Sequence, residues 1–362
     1  MTTKTGRQAL RVVQWTTGNV AAEVVRALVS RPDIRVIGAY AHSPQKAGAD
    51  LGTLCGLDRE LGVAATTDVN TLLDLRPDCI IYTPLHFDQS EVERILRAGI
   101  NIVTSAEFVT GANLCTDDHA ALTAAALAGG STIFGSGMNP GFAQLAAGIA
   151  SGVSTNVYRT ELIESVDVSQ FIGDANFKAM RWGEPKDTPG HADAVRTGTA
   201  VFAEAVDVLA RMLRIDLDEI TCSVEFAHAT QEVITDGVLI RDGHVGGIEV
   251  RWCGRKADQD VVCVHQRWAA TKHLDPAWHI EHGYIINISG DPNVRMKLDL
   301  IPTDADLADL TPQRMRGIGL RITAAPLVNA IPAVCAAPPG ILTYAELPSI
   351  AALLVPDSGA RR

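Results

Sequence analysis

The residues best placed to do chemistry begin with the segment Val12-Val13-Gln14-Trp15-Thr16-Thr17-Gly18-Asn19-Val20-Ala21. It joins a β-rich run directly to a helical one, which is where an open α/β sheet carries a phosphate-binding turn. In the pattern Gly-x-Gly-x-x-Gly the middle glycine lets a pyrophosphate approach the backbone while helix N-terminal amides bond to it. Gly18 keeps that role, Thr16 stands for the first glycine and Ala21 for the third. Thr16, Thr17, Gly18, Asn19 and Val20 are therefore candidate dinucleotide contacts, the alternative being a tight strand-to-helix turn without a ligand. After the second β-rich run comes Tyr40-Ala41-His42-Ser43-Pro44-Gln45-Lys46. The carboxylate that accepts from an adenosine ribose is missing there, and a hydroxyl and an ammonium follow. His42, Ser43 and Lys46 suit a 2′-phosphate and hence NADP(H), with NAD(H) left open because no arginine fork is present. The alternative is a solvated loop.

Ligands of open parallel sheets collect beyond the carboxyl ends of the strands. Thr83, Glu107 and Asn139 follow three further β-rich runs. Glu107 stands among small and apolar neighbours, where desolvation would raise its pKa toward the range useful for proton transfer. The plainer reading is a helix-start carboxylate. Thr83 and Asn139 either touch a cofactor or shape turns. Phe142 lines a substrate pocket or packs between domains, and Phe171, Phe177, Met180 and Trp182 line that pocket or pack in a core or dimer contact. Near these four, only Lys178 and Arg181 are cations, so an apolar pocket is expected rather than a carboxylate clamp. His273, His279 and His282 lie close in sequence, but Trp278 to Ile285 alternates like a strand, which sends positions three apart to opposite faces; no metal site is expected.

These residues need a scaffold. The 362-residue length favours two domains, and 47% hydrophobic with 20% charged residues describes a folded chain. With 31 basic and 42 acidic residues the net charge is −11, which disfavours nucleic acid and anionic membranes as partners. The apolar stretches Ala120 to Ala128 and Leu145 to Ala150 are too short for a bilayer. The start of the chain lacks signal-peptide features, so a cytoplasmic location is expected, and with it seven reduced cysteines without a C-x-x-C pair. Strands are predicted at Leu10 to Gln14, Arg35 to Ala41, Asp78 to Thr83, Asn101 to Thr104 and Thr132 to Phe134, with a weaker one near Gly62 to Ala65. A helix from Val20 to Ser30 is the clearest connection between them. The expected fold is α/β: an N-terminal Rossmann domain, a doubly wound parallel sheet, over 1–140, then an α+β domain with a largely antiparallel sheet over 141–313. That second sheet is read from Tyr158 to Val166, Glu249 to Cys253, Val261 to Trp268 and Tyr284 to Ser289. Helices are expected from Phe142 to Ala150, with Pro140 in the first turn, and from Thr199 to Leu213. Gly190 to Gly198 reads as a connection. The segment 314–362, with a helix opening at Pro326, is expected to return to the first domain.

In the segments VVQWTTGNVA, AHSPQKAGADLG, NIVTSAEF, GMNPGF and NAIPAVCAAPPGILTYAELP, the chain resembles the dihydrodipicolinate-reductase-like superfamily. Within it, the chain is most similar to the branch of 2,4-diaminopentanoate dehydrogenases and native amine dehydrogenases. The resemblance implies a homodimeric NAD(P)-dependent oxidoreductase with a mostly apolar pocket. It places the catalytic glutamate on Glu107, the phosphate loop on Thr17, Gly18, Asn19 and Val20, and the second-strand loop on His42, Ser43 and Lys46. Dihydrodipicolinate reductases carry a histidine pair that Glu164 to Phe171 lacks, which disfavours that activity. The expected reaction is reversible reductive amination of a small ketone or aldehyde with ammonia. A 2,4-diaminopentanoate-type amino acid dehydrogenase and a non-catalytic NADP(H)-sensing protein are the alternatives.

Overall fold

The computed structural model describes residues 8–348 and 350–354. The chain divides into two compact units, one of Met1–Phe142 with Gly317–Arg362 and one of Ala143–Arg316. The first begins with β1 (Leu10–Trp15), α1 (Asn19–Leu28), β2 (Ile34–Tyr40), α2 (Leu51–Leu54), β3 (Ala65–Thr66), α3 (Val69–Asp74), β4 (Cys79–Tyr82), α4 (Gln89–Arg97), β5 (Asn101–Thr104), α5 (Thr116–Gly129) and β6 (Thr132–Gly135). Its central strand β4 is apolar along its length and all four of its residues are buried, because helices cover both faces. In α1, Ala21, Val24, Val25 and Leu28 make the buried stripe. Helix α4 starts where the Asp88 carboxylate accepts from the Glu91 amide at 3.1 Å, and Arg94 and Arg97 sit in its last turn, favourable to the helix dipole.

The second unit contains α6 (Ala143–Ser151), β7 (Asn156–Asp167), α7 (Ala175–Lys178), α8 (His191–Gly198), α9 (Val201–Met212), β8 (Glu219–Ala229), β9 (Val233–Thr235), β10 (Val238–Ile240), β11 (Val245–Lys256), β12 (Gln259–Ala269), β13 (Leu274–Asp275), β14 (Gly283–Asp291), β15 (Val294–Leu298) and α10 (Asp304–Leu307). Its main sheet has the order β13-β8-β11-β12-β7-β14-β15, antiparallel except for the parallel pair β12 and β7. Strand alternation gives this sheet two different faces. On one, Trp252 donates to Thr199 Oγ1 at 3.2 Å and Trp268 meets Phe202 of α9. The other carries Glu249, Arg251, Cys253, Cys263, His265 and Arg267. Glu249 is paired with Arg251 and Arg267 at 2.7 and 2.6 Å, and these two cations hold its carboxyl below the usual range against the effect of burial.

The chain then forms α11 (Pro312–Ala336) and β16 (Gly340–Leu342). From residue 317 this helix belongs to the first unit, where Ala324, Leu327, Val328, Ala330, Ile331 and Val334 are buried. Arg31 is bidentate to Asp33 and also donates to Asn329 at 3.0 Å, so it ties α11 to the turn before β2. Strand β16 pairs in parallel with β6 and completes the order β16-β6-β5-β4-β1-β2-β3. The Rossmann-type α/β sheet and the mostly antiparallel second sheet are as the sequence led one to expect.

Five local expectations need correction. Residues 191–198 are helix α8, because His191 and Val195, four apart, are both buried. Pro140 is extended, with ψ 148°, and the regular helix starts at Ala143. Pro326 lies inside α11, which begins at Pro312. That helix is also long and apolar enough by composition to cross a bilayer, which the short stretches noted in the sequence had not suggested. The run before β14 is not a strand, so His279 and His282 lie in a connection. Finally, Cys253 and Cys263 form a disulfide, whereas reduced cysteines were expected. The hairpin register sets the two directly opposite one another, a long-range fact that cysteine parity cannot convey.

Candidate functional site

Because every strand of the first sheet is parallel, the residues following β1, β2, β4, β5 and β6 all emerge along one edge. Strand β1 lies between β4 and β2, the point where strand order reverses and a crevice opens. Thr16 sits there with φ 78°, the left-handed conformation a glycine would adopt freely and a β-branched residue adopts with strain. Its hydroxyl donates to the Thr83 carbonyl at 3.1 Å. The Thr83 hydroxyl donates to the Trp15 carbonyl at 3.0 Å and accepts from Gln14 at 2.9 Å. Thr83 therefore fastens the loop after β4 to β1, a turn-shaping role. Gln14 Oε1 is buried there without a hydrogen-bond partner.

Gly18 caps α1 with φ −83°, and a Cβ built on it would meet nothing within 4 Å. No side chain caps the helix, so the amides of Asn19 and Val20 keep the bonding capacity every helix start has. Lys46, in the short helical turn after β2, donates to Thr17 Oγ1 at 3.0 Å. The two loops singled out in the sequence thus meet. Ser43 donates to Gln45, and His42 is exposed. Beneath them Trp15 stacks on Tyr40 at 4.5 Å and donates to Glu91 at 2.9 Å. Burial raises the Glu91 pKa, although bonds from Tyr82 and Trp15 oppose the shift. Sequence reasoning missed Glu91, whose position reads simply as a first-turn helix acid.

Glu107 follows β5 with φ 45°. Its side chain keeps 57% of its surface exposed, which corrects the expectation of a desolvated carboxylate. The physical cause is local: Ala106 and Phe108 on either side are buried, and the left-handed turn sends the residue between them outward. Glu107 Oε2 lies 3.3 Å from His86 Nδ1, and one residue further along both loops Phe87 stacks on Phe108 at 4.9 Å. An apolar latch therefore fixes the segments that carry the polar pair. His86 was not singled out as a site residue, since nothing in sequence spacing reveals a pairing across the α4 crossover. Asn139 follows β6 in a half-buried, irregular segment whose Gly141 has φ 136°. Ser136 and Tyr344 hydroxyls, 2.7 Å apart, hold that segment to the C-terminal region. Phe142 is half-buried at its end.

In the second unit Phe171 and Phe177 come together at 6.3 Å, and Phe177 continues to Trp268 at 5.3 Å. Met180 and Trp182 are buried, with the Met180 carbonyl accepting from His191 at 2.8 Å. Arg181 pairs with Glu184 at 3.4 Å. The cation that reaches the aromatic group is Arg316, 5.7 Å above Phe171, and it is held by Asp174 and Asp236.

Residues 183–360 match the family model for the 2,4-diaminopentanoate dehydrogenase C-terminal domain. An amine dehydrogenase of Streptomyces virginiae is 29% identical over 220 residues, covering 58% of this chain; the chain spans 61% of the length of that curated relative. A 4-hydroxy-tetrahydrodipicolinate reductase of Trichormus variabilis is 36% identical over 62 residues, 17% of this chain and 22% of that one. The solved amine dehydrogenase structure from Mycobacterium smegmatis shares the fold, with TM-score 0.76 and 23% identity over 95% of this chain and 97% of that one. Together these likenesses bear out the resemblance to the diaminopentanoate and amine dehydrogenase branch.

Proposed function

We propose, for a chain whose second half matches the 2,4-diaminopentanoate dehydrogenase C-terminal domain, that it is an NAD(P)H-dependent amine dehydrogenase. The reaction is reversible reductive amination of a small ketone or aldehyde with ammonia. The observation that carries this reading is Glu107, projected from the carboxyl edge of the parallel sheet and paired with His86 while its neighbours are locked in the core.

A dinucleotide fits the residues present: the space over Gly18 is open at the start of α1, and Thr17, Gly18, Asn19 and Val20 would hold the pyrophosphate. Lys46, already at Thr17, would meet a 2′-phosphate together with Ser43 and His42, which favours NADP(H). A bound nicotinamide supplies the hydride that reduces the substrate. Glu107 takes a proton from ammonium so that ammonia adds to the carbonyl, the added nitrogen passes one proton to the carbonyl oxygen, and Glu107 returns its own to the departing hydroxyl, so that water leaves. As a carboxylate it also stabilises the iminium cation formed on the substrate, a better hydride acceptor than the neutral carbonyl. His86 positions the carboxylate. Within the second unit, taken by itself, Arg316 is already paired with two acids, which favours a simple carbonyl over a 2-oxo acid.

The family match favours one second reading, a diamino acid dehydrogenase. Both are tested by following NADPH oxidation with ammonia and either a small ketone or the matching 2-oxo acid. The ketone is expected to turn over faster; a strong advantage for the oxo acid moves the assignment to the amino acid enzyme. Glu107→Ala is expected to lower turnover by about 100-fold or more while NADPH still binds. Full turnover in that variant removes Glu107 from the mechanism.

A further inference from the structure

Two cysteines and a histidine meet on the charged face of the second unit's sheet, where the proposed reaction uses none of them. Cys253 on β11 and Cys263 on β12 are register partners, His265 follows on the same face of β12, and one ligand atom from each lies within 4.8 Å of the others. All three are buried, His265 keeping 6% of its surface. His265 Nε2 has no hydrogen-bond partner. Glu161, opposite Cys263 on β7, brings Oε1 to 3.6 Å from that nitrogen. This is too long for a hydrogen bond and close to the separation of two donors sharing one tetrahedral cation. Arg159 stands 3.2 Å from Glu161 and 3.9 Å from Cys263 Sγ, and Asn287 donates to Glu161 at 3.2 Å. These are the outer partners that orient and balance a ligand set.

We propose that, once the Cys253–Cys263 bond is reduced, Cys253, Cys263, His265 and Glu161 bind one zinc ion. In the test the reductant is a phosphine: two electrons enter the S–S bond, water provides two protons and the oxygen that makes phosphine oxide, and two thiols result. Zinc then displaces the two thiol protons to form two Zn–S bonds. Two thiolates and one carboxylate against Zn²⁺ leave one negative charge, which Arg159 offsets. The disulfide joins only β11 and β12, whereas the ion would also join β7.

The experiment uses the full chain, reduced with the phosphine under argon, freed of it, and titrated with Co²⁺ and then Zn²⁺. Reduced protein is expected to take one equivalent of Co²⁺ with thiolate-to-cobalt charge-transfer absorption that Zn²⁺ abolishes, and unreduced protein to take none. Cys263→Ser and His265→Ala are expected to weaken binding by about tenfold or more, and Cys115→Ser to leave it unchanged. Absence of the absorption in reduced protein, or wild-type affinity in His265→Ala, overturns the proposal. Should a variant fail to fold, the wild type decides alone: zinc raises the melting temperature of the reduced protein and not of the oxidised one. An equal melting temperature for the reduced protein with and without zinc also overturns it.

Discussion

At the scale of single residues, fold and function make different demands on Gly18. Its φ of −83° is open to any residue, and an added Cβ would touch nothing within 4 Å. Gly18→Ala is therefore expected to change stability by less than about 0.5 kcal/mol. The same methyl would stand where a pyrophosphate approaches the backbone, so NADPH affinity should fall by about tenfold or more. Thermal melts and dinucleotide titration of one variant check both halves; an unchanged dissociation constant would show that phosphate does not bind over Gly18. Lys46 makes a complementary case. Its ammonium lies 3.0 Å from Thr17 Oγ1, so Lys46→Ala should weaken NADPH by about 1.5–3 kcal/mol, the worth of a bond to a charged group. NADH, without the 2′-phosphate, should be nearly unaffected. Equal losses for the two dinucleotides would assign Lys46 to loop support alone.

At the scale of elements, Glu107 depends on how closely β6 approaches the loop after β5. A Cβ on Gly135 would lie 1.9 Å from the Phe108 carbonyl oxygen and 2.7 Å from the Val109 Cα, and both are backbone atoms that cannot rotate away. Gly135→Ala must then displace the segment that follows Glu107, at a cost of about 1–3 kcal/mol. Turnover should fall by about tenfold or more, the scale of loss expected when a reacting group is misplaced by an ångström. NADPH binding, set by the loops after β1 and β2, should hold. A variant that keeps wild-type turnover would separate the Phe87–Phe108 latch from the Glu107–His86 pair. This dependence also shows what the sequence made legible. Strands such as Asn101–Thr104 declared themselves by β-branched runs, here Ile102-Val103-Thr104, and the carboxyl-edge rule then located Glu107, Thr83 and Lys46. The exposure of Glu107 was hidden because a left-handed non-glycine residue leaves no mark in composition. His86 and Glu91 went unassigned since their partners come from other crossovers. Helix α8 escaped because its start, Gly190 with φ 71°, resembles an ordinary loop glycine.

At the scale of the whole molecule, the response to acid should come in two windows, set by which groups the fold keeps uncharged and which it keeps charged. His191 is buried, 2.8 Å from the Met180 carbonyl and tilted against the Phe226 ring at 4.5 Å, and burial lowers its pKa below the ordinary 6.5. The unfolded chain therefore binds a proton at pH values where the folded chain does not, and stability falls as pH drops below about 6.5. Carboxylates act later, at lower pH, and with the same sign. Arg31 lowers the pKa of Asp33, and backbone amides lower that of Asp50. Their contribution is fully present above the ordinary 3.8 and is lost only as pH falls through their lower folded values. Between about pH 6.5 and 4.5 the melting temperature should consequently decline through histidine protonation. His191→Gln, which keeps an N–H for the Met180 carbonyl but cannot titrate, should make that decline shallower, with His265, whose pKa burial lowers to about 4, supplying the rest, and leave the fall below pH 4 in place. Melting curves of the two proteins from pH 7.5 to 3 decide it. Parallel curves above pH 4.5 would mean that His191 is protonated in the fold as readily as in the open chain, and that the packing around Met180 does not exclude the proton.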